Sequence, residues 1–193
     1  MEGYSNYRNS KIQWIGKIPA HWEERKAKYI FSYKKMIVGE KADNYDLLSL
    51  TLKGIIKRDM ENPTGKFPSS FDSYQEVNKG DFVFCLFDNE ETPRTVGLSE
   101  FYGMITGAYD VFGCNKPGIL PQFLLYYYLT IDDSKLMRPL YKGLRKTIPF
   151  DSFMRYRIPL PPLSEQEKIV SYLDSKTLII NSYVAERERV TAS

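Results

Sequence analysis

The segment that begins at Pro161-Pro162-Leu163 constrains this chain more than any other, because it divides a compact part from a helix too long to belong to it. Proline cannot donate to a strand ladder, so this run closes whatever sheet precedes it. Ser164-Glu165-Gln166-Glu167 then has the S-x-x-E form of a capping box, a helix start signal. Ile169, Leu173, Ile180 and Val184 share one stripe, with Lys176 or Thr177 filling the middle turn. Ser171, Asp174, Ser175, Glu186 and Arg187 lie mostly off that stripe. A helix of about 27 residues would run about 40 Å at 1.5 Å per residue, more than a compact domain of this size requires. Its far end is expected to project and seek a partner; folding back over the core is the alternative.

Upstream of that boundary the pattern is mostly β. Trp14-Ile15-Gly16-Lys17-Ile18-Pro19 and His21-Trp22 read as an extended arm, leading into a short helix near Glu23 to Phe31. Short apolar runs around Lys53-Gly54, from Tyr45 to Ile56, predict a β-hairpin. Lys79-Gly80-Asp81 reads as a turn before a strand over Phe82 to Phe87, and further short runs cover Gly103 to Ala108 and Tyr109 to Phe112. Pro121 suits the first position of a helix, and a second helical segment is expected from Ser134 to Tyr141. A basic loop, Gly143-Leu144-Arg145-Lys146-Thr147-Ile148-Pro149, precedes a turn of helix near Asp151 to Met154 and an edge strand at Arg157-Ile158-Pro159-Leu160. The expectation is an α+β fold: a β-rich domain with flanking helices over residues 1–160, then a long projecting C-terminal helix over 161–193.

The 193 residues suffice for a substantial core, and 42% hydrophobic with 26% charged residues describes a folded chain rather than a disordered one. Cys85 and Cys114 have no second Cys or His at ligand spacing, so buried reduced thiols are expected. His21, the single histidine, sits between Pro19-Ala20 and Trp22, a structural setting without a positioned partner for acid-base work. No window approaches the roughly 18 apolar residues of a membrane span, and the N-terminus lacks the form of a secretory leader, so no membrane contact and a cytoplasmic location are expected.

Charge is more telling in its distribution than in its net value of +3. From Phe71 to Asp110 eight acidic residues face only Lys79 and Arg94. From Ser134 to Arg157 the balance reverses: Lys135, Arg138, Lys142, Arg145, Lys146, Arg155 and Arg157 face Asp151 alone. Such a stretch attracts a phosphate backbone, although a solvated basic surface fits as well on charge alone. Lys53, Lys57 and Arg58 form a smaller basic group.

The run from Pro161-Pro162-Leu163-Ser164-Glu165-Gln166-Glu167-Lys168-Ile169-Val170 to Asp174 closely resembles the conserved region of type I restriction-modification specificity subunits, where a target recognition domain ends in a Pro-Leu-x-Glu-Gln-x-x-Ile-Val segment that opens a long helix. Ile12-Gln13-Trp14-Ile15-Gly16-Lys17-Ile18-Pro19-Ala20-His21-Trp22 is similar to the same family's N-terminal segment, and the two stand in the family's order. Lys79-Gly80-Asp81 and Gly143 to Ile148 are weaker family-like features. The resemblance implies a non-catalytic subunit that binds double-stranded DNA. Separate modification subunits would carry S-adenosylmethionine and methylate adenine, a motor-nuclease subunit would cut, and this chain would bind no cofactor itself. A complete subunit of that family has two recognition domains and two conserved helices; one of each here implies a half-subunit or fragment that reads half of a bipartite site. Ending at Val190-Thr191-Ala192-Ser193, within a helical pattern, favours truncation or a very short natural form.

On this reading Lys53, Lys57, Arg58, Arg94, Tyr102, Tyr109, Lys142, Arg145, Lys146 and Thr147 are the candidate DNA-binding residues. Lysines and arginines would hold phosphates, Arg94, Arg145 or nearby polar groups would read base edges, and Tyr102 or Tyr109 would pack on sugar or base. Ile169, Leu173, Ile180 and Val184 would contact a second half-subunit or a second copy of this chain, and help dock a modification subunit. Catalytic readings fare worse. Asn62-Pro63-Thr64-Gly65 lacks the second proline and the aromatic of an adenine methyltransferase loop and reads as a turn. Glu24-Arg25-Lys26 has the closing Glu-x-Lys pattern of a metal-dependent nuclease, but no suitable Asp precedes it on a strand. Asp88-Asn89-Glu90-Glu91 could bind a metal, but four adjacent polar residues ahead of Thr92-Pro93 read as a solvated turn. A protein-interaction module with an incidental basic loop is the other alternative.

Overall fold

The computed structural model describes residues 3–60 and 68–191. In chain order these form β1 (Tyr7–Asn9), β2 (Lys17–Pro19), β3 (Glu23–Lys26), β4 (Ser32–Lys34), β5 (Leu48–Thr51), β6 (Gly54–Lys57), β7 (Gln75–Val77), β8 (Phe82–Phe84), β9 (Val96–Leu98), β10 (Gly103–Ile105) and β11 (Asp110–Gly113). The remainder is α1 (Pro121–Asp133), α2 (Phe150–Arg155), β12 (Arg157–Leu160) and α3 (Leu163–Thr191). The fold is α+β, a sheet-rich part followed by a long C-terminal helix. The turn Asn62-Pro63-Thr64-Gly65 lies outside the described residues.

Among the described residues the largest sheet is antiparallel, in the order β4-β11-β8-β9. Gly80, at φ 88°, makes the turn that feeds β8, a left-handed conformation that glycine adopts without steric cost. Strand residues alternate between faces, and here both faces are covered, which is why β8 reads as an unbroken apolar run. Phe82, Phe84 and Phe112 belong to a cluster with Phe31, Tyr128 of α1, Phe153 of α2 and Val170 of α3. Val83 and Val111 belong to a second cluster with Leu48, Ile55, Val77 and Ile105. The Phe84 ring meets Tyr128 and Phe153 edge-on, with centroids 4.8 Å from each. Such pairs add about 0.5–1.5 kcal/mol each beyond area burial.

The β5–β6 hairpin forms as expected, pairing Leu48 with Lys57 through Thr51 with Gly54. It packs toward β9, where a Cβ added at Gly97 would lie 2.8 Å from side-chain atoms of both Ile55 and Leu50. Pro121 opens α1, and α2 covers the predicted turn of helix. Residues 103–113 divide into two short strands as predicted.

Three local expectations are corrected. The helix near Glu23 to Phe31 is instead β3 followed by a 3-10 turn over Ala27–Tyr29. The edge strand β12 recruits Glu23–Lys26 as its antiparallel partner, and the Ala27 amide donates to the Tyr156 carbonyl. Long-range pairing overrides local propensity there. The expected helix over Ser134 to Tyr141 is only a 3-10 turn at Arg138–Leu140. Lys135 sits at φ 47°, a conformation that ends an α-helix, and Pro139 supplies no amide hydrogen to resume it. Finally, α3 starts at Leu163, so Ser164 lies inside the first turn rather than at the cap.

Glu165 and Gln166 bind the start of α3 to the rest of the chain. The buried Gln166 amide donates to the carbonyls of Gly118 and Pro161, each at 2.9 Å, and its oxygen accepts from the Leu120 amide at 2.8 Å. One side chain thereby joins the starts of α1 and α3. The Glu165 carboxylate accepts from Tyr4 Oη at 3.0 Å, His21 Nε2 at 2.6 Å and Trp22 Nε1 at 2.9 Å, which ties down the N-terminal arm. His21 is thus a structural donor. Beyond Leu173 every described side chain of α3 is exposed. At 29 residues the helix is about 43 Å long. Among the described residues, no helix is long and apolar enough to cross a membrane.

Desolvation works to raise the Glu165 pKa, but the hydrogen bonds from Trp22, His21 and Tyr4 outweigh it and hold the carboxyl below its usual value. A depressed folded-state pKa contributes stability that is present above the unfolded value, about 4.3, and lost as pH falls through the folded value. Glu165→Ala is expected to release the arm at neutral pH, measured as faster proteolysis at Lys11 and Lys17 and a shift in Trp22 emission. The variant should also lack the acid-induced loosening of the native chain below about pH 4. Native-like digestion of the variant would remove Glu165 as the tie.

Candidate nucleic-acid interface

The basic loop after the 3-10 turn is a tight hairpin. Lys142 and Thr147 exchange backbone hydrogen bonds of 2.8 and 3.0 Å, enclosing the tip Gly143-Leu144-Arg145-Lys146. Gly143 at φ 64° and Lys146 at φ 46° supply the left-handed turns the tip requires. The tip is also held from the side. The Asp88 amide donates to the Arg145 carbonyl at 2.7 Å, the Asn89 side-chain amide to the Lys146 carbonyl at 3.4 Å, and the Ile148 amide to the Leu86 carbonyl at 2.7 Å.

Arg145 Nε and Nη2 grip Asp88 Oδ1 and Oδ2 at 3.1 and 2.6 Å. The hydrogen bond from Arg145 keeps the Asp88 carboxyl below its usual pKa, and Arg145 is raised in turn. The guanidinium lies 4.9 Å over the Phe87 ring, within cation–π reach. Phe87 in turn stacks on Tyr109 with centroids 6.0 Å apart. Tyr109, Phe87 and Arg145 therefore form one continuous stack, which brings two sequence candidates together. Leu144 stands at the tip, fully exposed.

The structure separates the other candidates. Arg58 and Tyr109 rim a cavity of about 160 Å³ together with Ser49, Tyr74 and Thr106. Lys57 pairs with Asp46 at 2.5 Å and sits 5.5 Å over the Phe101 ring. Tyr102 stacks on Tyr45 with centroids 5.2 Å apart, and both hydroxyls donate to Glu76 Oε2, at 3.3 and 2.9 Å. Lys53 and Arg94 instead line a cleft of about 580 Å³ facing Leu125 and Leu129 of α1 and Thr177 and Asn181 of α3. Arg94 is 13% exposed and engaged by Asp132 at 3.2 Å and Asp133 at 2.9 Å. Asp132 also accepts from the Thr95 amide and hydroxyl and from Lys135, so Arg94 belongs to a buried polar junction between β9 and α1.

The charge reversal of the sequence is largely internal pairing. Arg145 meets Asp88, Arg138 meets Glu90, Lys135 meets Asp132 and Arg155 meets Asp151. Lys142 and Lys146, at the hairpin, have no carboxylate partner among the described residues. Sequence reasoning identified the cationic loop. It missed Asp88 and Asn89 as the side chains that hold it, because their run of polar residues reads equally as a solvated turn.

The predicted assembly stripe also divides. Ile169 and Leu173 line an apolar recess of about 320 Å³ with Trp14, Trp22, Tyr126 and Tyr127. Ile180 and Val184 are exposed, flanked by exposed Ile179 and Tyr183. Cys85 and Cys114 are free and buried, as expected. Burial pushes both thiols up, Cys114 to about 11. Among the described residues, no group of three or more His, Cys, Asp or Glu could hold a metal ion.

Residues 109–186, which include the hairpin and the start of α3, match the family model of the type I restriction modification DNA specificity domain. No curated protein matches the chain. Among solved structures, it is similar to the HsdS subunit from Thermoanaerobacter tengcongensis, with a TM-score of 0.53 and 15% identity over 91% of this chain and 41% of that one. It is also similar to a chain described under complex assembly and conformational transition of the type I R-M system (TM-score 0.55, 14% identity, 86% and 40% covered). The type I restriction-modification S subunit from M. genitalium gives 0.53 and 15%, covering 80% and 38%. The chain thus spans about two-fifths of the length of each. The fold is HsdS-like, and the resemblance carried by Pro161 to Asp174 falls inside the matched segment.

The hairpin's order is directly measurable. Asp88→Asn keeps a residue that tolerates the left-handed backbone but removes the charge. In native-state hydrogen exchange the Lys142 and Thr147 amides should then exchange roughly two- to fivefold faster, the span expected when an exposed ion pair is removed. Unchanged exchange would mean that the backbone bonds alone hold the tip.

Proposed function

We propose that this chain is the DNA-recognition part of a type I restriction-modification complex, reading one half of a bipartite target. The observation that carries the reading is the braced cationic hairpin at Lys142 to Thr147, inside the specificity-domain match. Lys142, Lys146 and the Thr147 hydroxyl would engage phosphates, contacts that position a protein on the duplex. Arg145 has the planar fork suited to guanine in the major groove, and its neighbour Tyr109 offers a partly exposed ring. The chain would itself be non-catalytic and bind no cofactor. S-adenosylmethionine and the methyl-transfer chemistry would reside on partner modification subunits, and cleavage on a motor-nuclease subunit.

The α3 helix would provide assembly. Ile180 and Val184 are unpartnered apolar residues on an exposed helix, flanked by Ile179 and Tyr183, a surface that a second helix would bury. The partner would be the other half of a specificity subunit or a second copy of this chain. Two identical copies would read a two-fold symmetric split site.

Two measurements test these roles. Replacing Lys142, Arg145 and Lys146 together with Ala should weaken binding to random duplex DNA at low salt. It should also flatten the dependence of log K on log salt by up to about 0.9 for each phosphate that is no longer neutralised. An unchanged slope refutes the placement. Because Ile180 and Val184 are exposed, Ile180→Asp with Val184→Asp should leave the domain folded and convert a dimer to monomer in sedimentation. An assembly mass unaffected by both changes would remove the helix as the contact.

A further inference from the structure

We propose that Leu144 is an intercalating wedge, which enters the DNA stack between two adjacent base pairs while Lys142 and Lys146 hold the phosphates on either side. This rests on the DNA-recognition reading above and adds a role for a residue that carries no hydrogen-bonding group. A single exposed leucine on a protein surface is ordinary by itself. Leu144 differs in three ways. It is 100% exposed at the apex of the hairpin, so even its own loop gives its methyl groups no cover. The hairpin is braced by the Lys142–Thr147 pair, by Asp88 and Asn89 against Arg145 and Lys146, and by the Ile148 amide on Leu86. Its flanks carry Lys142 and Lys146, which have no carboxylate partner among the described residues.

Those features answer the energetic requirement. Separating two stacked base pairs costs a few kcal/mol per step. A flexible loop would add its own ordering entropy to that cost, whereas a braced hairpin has already met it in folding. Burying a leucine side chain between bases offsets part of that cost, and flanking cations supply phosphate attraction on both sides. The left-handed backbone at Lys146 and Asp88, at φ 46° and 48°, is local strain, of a kind that persists only where surrounding contacts over-determine it. Pyrimidine–purine steps, which unstack and kink most easily, are the preferred point of entry. A protein-binding tip is the other use of an exposed leucine, but the uncompensated lysines beside it favour a polyanion.

The test uses the full chain with random-sequence duplexes carrying one 2-aminopurine at a pyrimidine–purine step, at low salt. Anisotropy reports binding and 2-aminopurine emission reports unstacking in the same sample. The native chain should bind and raise emission. Leu144→Ala should fold normally, keep the salt slope, lose the emission rise and bind roughly tenfold more weakly, as expected when a leucine is no longer buried. Leu144→Phe should restore the rise. Binding by the native chain without an emission rise overturns the wedge and leaves DNA recognition standing; absence of any binding overturns both. An alanine variant that still unstacks the base also overturns it, and one that does so while failing to hold a modification subunit assigns the tip to protein contact instead.

Discussion

The buried amide of Gln166 fixes the geometry on which the rest of the chain depends. Three backbone groups, from Gly118, Leu120 and Pro161, converge on one side chain. Leaving any of them unpaired in a dry site would cost about 1–3 kcal/mol, so the starts of α1 and α3 are locked to each other. Glu165, one residue earlier, draws in the arm through Tyr4, His21 and Trp22. Adjacent helical residues point about 100° apart. A Glu-Gln pair in the first turn can therefore hold two different segments at once. From that junction α3 runs along α1 and then leaves the protein surface.

The sheet between the two apolar clusters supplies the rigidity that the hairpin borrows. Phe82 and Phe84 face the helices, while Val83 faces the β5–β6 and β7–β10 pairs. The chain leaving β8 continues through Leu86, Phe87 and Asp88, and those residues receive the Ile148 amide, the Arg145 guanidinium stack and the Arg145 ion pair. A loop distant in sequence is thus held by the extension of the most buried strand. The hairpin is a loop by secondary structure, yet its orientation is set by the core.

Much of this is legible in the sequence wherever a signal is local. Pro121 at the head of α1, Gly80 before β8, the β5–β6 hairpin and the boundary at Pro161-Pro162 all rest on backbone chemistry that a few residues decide. The failures share one cause. Glu23–Lys26 has no strong strand signal of its own and becomes β3 because β12, more than a hundred residues away, needs a partner. The Ser164 capping box does not form because α3 already begins at Leu163, which places Ser164 inside the first turn instead of at the cap. Arg94 looks like a base reader in sequence; only the fold brings Asp132 and Asp133 against it.

The same cause limits what charge runs reveal. A stretch with seven cations suggests a broad basic surface, but four of those cations find carboxylates once the chain folds. What remains is narrower: Arg157, which donates to the Glu24 carbonyl, and two lysines on either side of a braced tip, beside an arginine, Arg145, whose fork is held by Asp88. In the proposed function that pairing has a purpose. An unpaired guanidinium would bind any phosphate, whereas one that must give up Asp88 gains only when the incoming partner offers two acceptors in the plane of the fork. Arg145 is then selective for what it replaces Asp88 with, while the lysines, as point charges without such a constraint, supply attraction that is indifferent to sequence.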